Sequence, residues 1–285
     1  MNRQYPSDME AKKLIIEIGK RMYSKNMVAA NDGNISIKVA DDTIWTTPTG
    51  VSKGFMKESE LVKMKLDGTI VAGGKLKPSS EVKMHLRVYN ENPEVGGVTH
   101  AHPPVCTSFA IAGIGLDKAI YPEALVNLGT VPCVHYETPG SQGIPDSIAP
   151  YCRDFNGVLL GNHGALSWGR DLTEAFYRLE SMEHYATVIM YTSSLIGKAN
   201  VLSCDQVSEL LEIRRKLGYT SGGVPACAAV PTNTKDVVVS AHSPIDGTLT
   251  PSPGCGCTSP ARELATESDV DMITRAVIAR LKELK

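Results

Sequence analysis

The first part of the chain alternates between helical and strand patterns of apolar residues. A helix is predicted over about residues 7–26, because Ser7 and Glu10 form a capping box and apolar side chains then recur at helical spacing. The stretch "NISIKVADDTIWTTPTG" alternates apolar and polar positions, turns at Asp41 and Asp42, and returns as a second short strand. This stretch therefore predicts a β-hairpin after the first helix.

The interleaving of helices and strands continues to about residue 219. Two further strands are predicted in "VGGVTHAH" and in "NGVLLGNHGALSWG", and the second runs into a loop and continues beyond it. Helices are predicted over "VKMHLRVYNEN", from Asp171 or Thr173 to about Gly197, and over about 205–217. This order predicts a single α/β domain over residues 1–220, with a mixed sheet and flanking helices.

The composition changes after Tyr219. About half of residues 221–260 are Gly, Pro, Ser or Thr, so residues 221–267 are predicted to be a linker without a core of its own. A final amphipathic helix, which Ser268 can cap, is predicted over residues 268–285. Its apolar stripe consists of Val270, Ile273, Val277, Leu281 and Leu284. A helix on such a tether is expected to dock on a partner.

Composition and charge argue against several classes of protein. The 285 residues carry a formal net charge of -2 without a cluster of lysines or arginines, so no nucleic-acid partner is expected. No apolar run approaches the roughly 18 residues that a membrane helix requires, and the polar N-terminus lacks the apolar core of a signal peptide. The seven scattered cysteines fit reduced thiols better than a disulfide framework. A cytoplasmic protein with no membrane contact is therefore expected.

The stretch "GGVTHAHPPV" holds two histidines, His100 and His102. Alternate residues of a strand point to the same face, so both imidazoles can reach one metal ion. Taken alone, such a pair is more often one core histidine beside one exposed histidine. His163, in "LLGNHGAL", follows another predicted strand and supplies a third ring. Three histidines leave an open coordination position, as in catalytic zinc sites.

Three other stretches carry groups suited to anions. Glu81 follows two serines at a predicted helix N-terminus in "LKPSSEVKMH", where backbone N–H groups favour negative charge. "NDGNIS" and "TTPTG" have a similar character, with Asn34 in the first and Thr49 and Gly50 in the second. Each of these stretches taken alone is an ordinary cap or turn.

The combination is more specific than its parts. "GNIS", "TPTG", "PSSE", "HAH" and "GNHG", in this order within residues 33–164, resemble the class II sugar-phosphate aldolase and epimerase family, and within it the L-fuculose-phosphate aldolases. The resemblance covers roughly residues 8–219. It implies a single α/β domain with a central mixed, largely antiparallel sheet flanked by helices. It also implies a homotetramer whose active sites lie at subunit interfaces.

The resemblance also assigns roles to particular residues. It implies one zinc ion (Zn2+) per subunit, bound by His100, His102 and His163. The glutamate of "PSSE", Glu81, is implied to act as acid and base and to fill the fourth metal position when substrate is absent. Tyr121 is implied to be the tyrosine that a neighbouring subunit provides to protonate the aldehyde oxygen. The residues implied to hold the substrate phosphate are Asn34, Thr49, Gly50, Ser79 and Ser80.

The implied activity is that of a class II, metal-dependent aldehyde-lyase. It would cleave a ketose 1-phosphate, such as L-fuculose 1-phosphate, reversibly to dihydroxyacetone phosphate and lactaldehyde. Zinc suits the enediolate charge as a Lewis acid, and Glu81 is expected to have a pKa raised toward neutrality. The open alternatives are a pentulose-phosphate 4-epimerase of the L-ribulose 5-phosphate type and a rhamnulose-phosphate aldolase. From a different class, a non-catalytic scaffold is the further alternative.

The predicted linker and terminal helix depart from the family pattern. They resemble the encapsulation peptides of bacterial microcompartment enzymes, so residues 268–285 are expected to bind a shell protein and to place the enzyme inside such a compartment. A helix that packs on its own tetramer or on a partner enzyme is the alternative. Cys255 and Cys257 are expected to be an incidental pair, since two thiols in a linker do not close a metal site.

Overall fold

The computed structural model describes residues 4–196 and 199–226, which are built around one eight-stranded sheet. The strands are β1 (Asn34–Ala40), β2 (Thr43–Thr46), β3 (Val62–Lys65), β4 (Ile70–Gly73), β5 (Gly97–Ala101), β6 (Cys133–Val134), β7 (Gly157–Leu160) and β8 (Gly164–Gly169). Their order across the sheet is β4-β3-β2-β1-β5-β8-β7-β6. Only β6 and β7 pair in parallel among the described strands, so the expected mixed, largely antiparallel sheet is confirmed.

Helices flank this sheet. They are α1 (Asp8–Ser24), α2 (Val82–Glu91), α3 (Pro104–Ile111), α4 (Pro122–Asn127), α5 (Gly143–Ile148), α6 (Leu172–Ile196) and α7 (Cys204–Lys216). The predicted capping box of Ser7 and Glu10 forms at the start of α1. This helix ends at Ser24, before the predicted boundary, because Asn26 has a left-handed φ of 56°. None of the described helices combines the length and apolar character that a membrane crossing requires.

The alternation of side chains along the strands builds an apolar core on each face of the sheet. In β7, Leu159 belongs to one core, whereas Val158 and Leu160 belong to the other. Helices α1, α3 and α6 contribute buried side chains to the first core, and α2 and α5 contribute to the second. The described residues therefore form the expected single α/β domain, with helices on both faces of one sheet.

Helix α6 packs directly on β5, the strand that carries His100. A Cβ atom added at Gly97 would lie 2.3 Å from the Cα atom of Leu172, so the two backbones approach more closely than any side chain would permit. Buried hydroxyl groups join the same elements, since Thr99 Oγ1 lies 2.7 Å from Ser167 Oγ, which donates to the carbonyl of Ala175 at 2.8 Å. These contacts fix β5, β8 and α6 relative to one another.

The first residues of the predicted linker hydrogen-bond to the domain. The backbone N–H groups of Gly222 and Gly223 donate to the carbonyl of Asp154 at 2.7 and 2.9 Å. Arg214 holds the same segment, because Nη1 donates to the carbonyl of Gly223 at 3.1 Å. The remainder of the predicted linker, from residue 227, and the predicted helix at 268–285 lie outside the described residues.

We expect Gly97→Ala to lower the free energy of unfolding by about 3 kcal/mol, because the new methyl group must displace backbone atoms. Denaturant unfolding followed by circular dichroism measures this loss. Gly68→Ala is the control, since Gly68 has a φ of 93° and no atom within 4 Å of an added Cβ. That control should cost only about 1 kcal/mol, from the left-handed backbone. Equal losses in the two variants would contradict the proposed steric cause.

Candidate active site

Three histidines meet where β5 ends beside the turn that joins β7 to β8. His100 belongs to β5, His102 follows that strand, and His163 lies in the turn at residues 161–163. One nitrogen from each ring lies within 4.8 Å of the other two, and the Nε2 atoms of His100 and His102 are 3.2 Å apart. The structure therefore brings together the three histidines that the sequence indicated.

The carboxylate of Glu81 adjoins this group. Its Oε1 atom lies 3.1 Å from Nε2 of His163, and its Oε2 atom lies 3.5 Å from Nε2 of His100. In a tetrahedral zinc site with bonds near 2.0–2.1 Å, neighbouring ligand atoms are about 3.3 Å apart. These three separations are close to that value, and the two from Glu81 involve different oxygen atoms. The three histidines therefore fit a divalent cation, and Glu81 lies beside them as a candidate fourth ligand.

Hydrogen bonds behind the rings leave the coordinating nitrogens free to bind. Nδ1 of His100 lies 3.0 Å from the carbonyl of Ala165, and because a carbonyl only accepts, Nδ1 carries the proton and Nε2 presents its lone pair. Nδ1 of His102 faces Oδ2 of Asp32 at 3.4 Å. Burial lowers the pKa of His102 and lowers the pKa of His100 well below its usual value. Both rings are therefore held in the neutral form that a metal requires.

The neighbouring rings affect the pKa of Glu81. Burial by itself raises the pKa of this carboxyl group, but positive charge on the neighbouring His100, His163 and His102 outweighs burial and lowers the pKa to about 2. The raised pKa that was expected for Glu81 is therefore not found in this arrangement, and where the rings are neutral the same lowering requires the charge of a bound cation. The ionised carboxylate suits a metal ligand.

A cavity of about 320 Å³ opens beside the histidines. It is lined by Thr49, Gly50, Ser79 and Ser80, which are four of the expected phosphate residues, together with Glu81, His102 and His163. The "TPTG" and "PSSE" loops meet here because the N–H of Ser79 donates to the carbonyl of Thr47 at 3.2 Å and the N–H of Thr49 donates to the carbonyl of Lys77 at 3.0 Å. A polar pocket thus adjoins the candidate metal centre.

Asn34 lies behind this cavity rather than among the described residues that line it. It is buried directly opposite His100 in the pairing of β1 with β5. Its Nδ2 atom donates to Oε2 of Glu81 at 3.0 Å and to Oγ of Ser79 at 3.4 Å. In this structure Asn34 therefore orients the carboxylate of Glu81, whereas the resemblance implied a contact with phosphate.

Tyr121 lies at the N-terminus of α4, in the wall of a separate cavity of about 510 Å³. Glu183 and His184 of α6 line the same cavity, and the ring centroids of Tyr121 and His184 are 5.8 Å apart. None of the three histidines of the candidate centre is among the described residues that line it. The structure thus places Tyr121 at a different cavity from the candidate centre of the same chain.

Three charged residues in or near the site were missed in the sequence. Asp32 supports His102, and Lys53 is buried in the wall of the 320 Å³ cavity. Glu183 lines the separate 510 Å³ cavity and caps α3, which begins at the second proline of "HAHPP". The carboxylate of Glu183 accepts hydrogen bonds from the N–H groups of Val105 and Cys106 at 3.0 and 2.8 Å. Asp32 lies within "NDGNIS" and Lys53 follows "TTPTG" by three residues, so both could have been found from their nearness to these motifs. Glu183 has no local signal, because its partners lie on another helix.

Comparison with known proteins places the chain in a family. Residues 13–190 match the family model described as the class II aldolase and adducin N-terminal domain. The chain belongs to this class II aldolase family, and it is an enzyme of the lyase type. Family members that resemble it include both aldolases and decarboxylases.

The relatives are similar over most of their own length. L-fuculose phosphate aldolase of Methanocaldococcus jannaschii is 31% identical over 179 residues, which are 63% of this chain and 95% of that protein. 3-oxo-tetronate 4-phosphate decarboxylase of Pectobacterium atrosepticum is 29% identical over 208 residues, which are 72% of this chain and 94% of that protein. The crystal structure of YgbL from Klebsiella pneumoniae, described as a candidate aldolase, epimerase or decarboxylase, has a TM-score of 0.67 and 28% identity, covering 72% of this chain and 99% of that one. A structure of L-fuculose 1-phosphate aldolase has a TM-score of 0.68 and 26% identity, covering 75% of this chain and 100% of that one.

We expect His163→Gln to weaken zinc binding by roughly a hundredfold or more, because it removes one ring of the donor set. Competition with a chromophoric chelator measures the affinity. His135→Gln is the matched control, since the side chain of His135 is 72% exposed and lies outside the donor set. Zinc affinity unchanged by His163→Gln, or lowered equally by both substitutions, would contradict the assignment of this centre.

Proposed function

We propose that this protein is a zinc-dependent aldolase that reversibly cleaves a ketose 1-phosphate of the L-fuculose 1-phosphate type to dihydroxyacetone phosphate and lactaldehyde. The proposal is carried by one observation, the direct junction of a three-histidine centre with a polar cavity suited to phosphate. Loops that hold the phosphate by Thr49, Ser79 and Ser80 would present the adjacent carbonyl and hydroxyl groups to the centre. The L-fuculose phosphate aldolases among the relatives support this substrate class.

This chain contains side chains suited to the proton transfers that the reaction requires. When bound, zinc supplies Lewis-acid stabilisation of the negative charge on the enediolate. In the cleavage direction the C4 hydroxyl loses its proton, the C3–C4 bond breaks, and its electron pair remains on C3. Glu81 delivers a proton to C3, and in synthesis it removes the same proton. Tyr121 of a neighbouring subunit in a homotetramer is proposed to exchange the proton of the aldehyde oxygen.

The decarboxylases among the relatives give a second candidate function through the same intermediate. Loss of carbon dioxide from 3-oxo-tetronate 4-phosphate leaves an electron pair beside the carbonyl group, which is the enediolate of dihydroxyacetone phosphate. Cleavage of L-fuculose 1-phosphate leaves that same enediolate. The histidines, Glu81 and the phosphate cavity therefore serve either reaction.

Asp32 favours the aldolase over the decarboxylase. Its carboxylate lies 3.4 Å from Nδ1 of His102 and lines the cavity. A substrate that carries a carboxylate as well as a phosphate would bring a further negative charge toward Asp32 and Glu81, which is unfavourable. An aldehyde leaving group carries no such charge. We therefore favour the aldolase as the first candidate function and the decarboxylase as the second.

An activity panel on the zinc-loaded protein tests the proposal. We expect release of dihydroxyacetone phosphate and lactaldehyde from L-fuculose 1-phosphate, measured by coupled reduction of dihydroxyacetone phosphate. L-rhamnulose 1-phosphate, L-ribulose 5-phosphate and 3-oxo-tetronate 4-phosphate complete the panel. Preferred cleavage of the rhamnulose ester, epimerisation of the ribulose ester, or preferred decarboxylation would each replace the proposal by the corresponding alternative. The scaffold alternative predicts no turnover of any substrate.

Glu81→Gln provides the inactive control for that panel. It should lower turnover by roughly a thousandfold, since the amide cannot carry the proton, while the three histidines retain zinc. Glu209→Gln is the matched substitution at an exposed position on α7. Near-normal turnover by Glu81→Gln would remove Glu81 from the mechanism.

We also propose that residues 268–285 direct the enzyme to a bacterial microcompartment by binding a shell protein. The support is the amphipathic pattern of these residues after a Gly/Pro/Ser-rich linker. The chemistry agrees, because lactaldehyde is a precursor of propanediol, which such compartments process. The rival interpretation is a helix that packs on its own tetramer or on a partner enzyme.

Deletion of residues 260–285 should leave kcat/KM unchanged, because every predicted site residue lies between Asn34 and His163. The same deletion should abolish co-purification with microcompartment shells. Size-exclusion chromatography provides the comparison with the rival interpretation. A truncated protein that is inactive, unfolded or altered in oligomeric state would contradict the encapsulation proposal.

A further inference from the structure

Lys53 is a buried cation to which the proposed reaction gives no role. The residue is 1% exposed and lines the cavity beside Thr49 and Gly50. Burial of an ammonium group is unfavourable unless its protons find acceptors. Nζ of Lys53 donates to the carbonyl of Asn31 at 2.9 Å and to the carbonyl of Val51 at 2.7 Å. The side chain is therefore held in a defined place.

The two carbonyl groups belong to different loops of the cavity. Residues 31–33 precede β1, whereas residues 49–51 include the end of the "TPTG" motif. One ammonium group thus joins the backbones of both loops. Helix α1 supports Lys53 from behind, because a Cβ atom added at Gly19 would lie 2.5 Å from the carbonyl oxygen of Lys53.

Lys53 also sets the charge of the cavity. It is the only lysine or arginine among the described residues that line this pocket. Burial lowers the pKa of Lys53 to about 8, and Asp32 and Glu81 oppose that effect. Thr49, Ser79 and Ser80 offer hydroxyl groups without charge, so the ammonium group balances the negative charge of a bound phosphate more directly than these neutral donors.

We propose that Lys53 is a positioning residue for the anionic end of the substrate. It joins loops 31–33 and 49–51 at a fixed separation and supplies the positive charge by which the cavity selects a phosphate over an uncharged hydroxyl group. The inference rests on the proposed function for the identity of the anion as a sugar phosphate. The affinity for inorganic phosphate is independent of the reaction.

Calorimetric titration of the zinc-loaded, full-length protein with inorganic phosphate tests this role. We expect Lys53→Met to raise the Kd for phosphate roughly tenfold or more, with a similar rise in KM for the sugar phosphate and a much smaller change in kcat. Lys57→Met, at an exposed position four residues further along, should change neither constant. Phosphate affinity equal to that of the wild type in Lys53→Met would overturn the inference.

Lys53→Gln separates the charge from folding. Its amide retains N–H donors for the two carbonyl groups but carries no charge. If Lys53→Met lowers the Tm, weakened phosphate binding by Lys53→Gln at an unchanged Tm still supports the proposal, and wild-type binding by Lys53→Gln overturns it. A wild-type protein that binds phosphate but cleaves no sugar phosphate would overturn the proposed function alone. Cleavage by the wild type together with normal phosphate binding by Lys53→Gln would overturn the role of Lys53 alone.

Discussion

The register of β5 between β1 and β8 is the constraint on which the active site depends. His100 lies opposite Asn34 on one side and opposite Leu166 on the other. Because side chains alternate along a strand, a shift of one residue would turn His100 toward the opposite core and separate it from Asn34 and Glu81. The contacts of Gly97 with Leu172 and of Thr99 with Ser167 hold this register. The packing that fixes this register therefore also fixes the geometry of the site.

The turn that carries His163 obeys a similar requirement for close approach. A Cβ atom added at Gly164 would lie 2.5 Å from the carbonyl oxygen of Ala101 and 2.7 Å from Cδ2 of His102. A glycine is thus needed where the turn passes the end of β5. Asn162, in the same turn, has a φ of 55°. The third ring reaches the centre because this backbone can pass where a side chain would not fit.

The electrostatics of the site explain why one arrangement suits several related reactions. Neutral histidine ligands leave the charge of a bound cation largely uncompensated, so it remains available to an enediolate. An aldol cleavage and a decarboxylation differ in the group that departs, whereas the enediolate that remains is the same. In the proposed function, Asp32 influences which leaving group the cavity accepts and Lys53 influences which anion it accepts. The reaction thus depends on the site more than on the fold.

Local patterns in the sequence determined α1, α2, α6, α7, the β1–β2 hairpin, β5 and the β7–β8 pair, because each has a clear period or a cap within a few residues. Shorter elements, among them α3 to α5 and β6, have too few residues to show a period. The motifs also identified His100, His102, His163 and Glu81 as candidate site residues. Only the tertiary structure decided that Glu81 lies against two of the histidines, that Asn34 holds it, and that Lys53 joins two loops. Those properties depend on distances between atoms from separate segments, which no local pattern encodes.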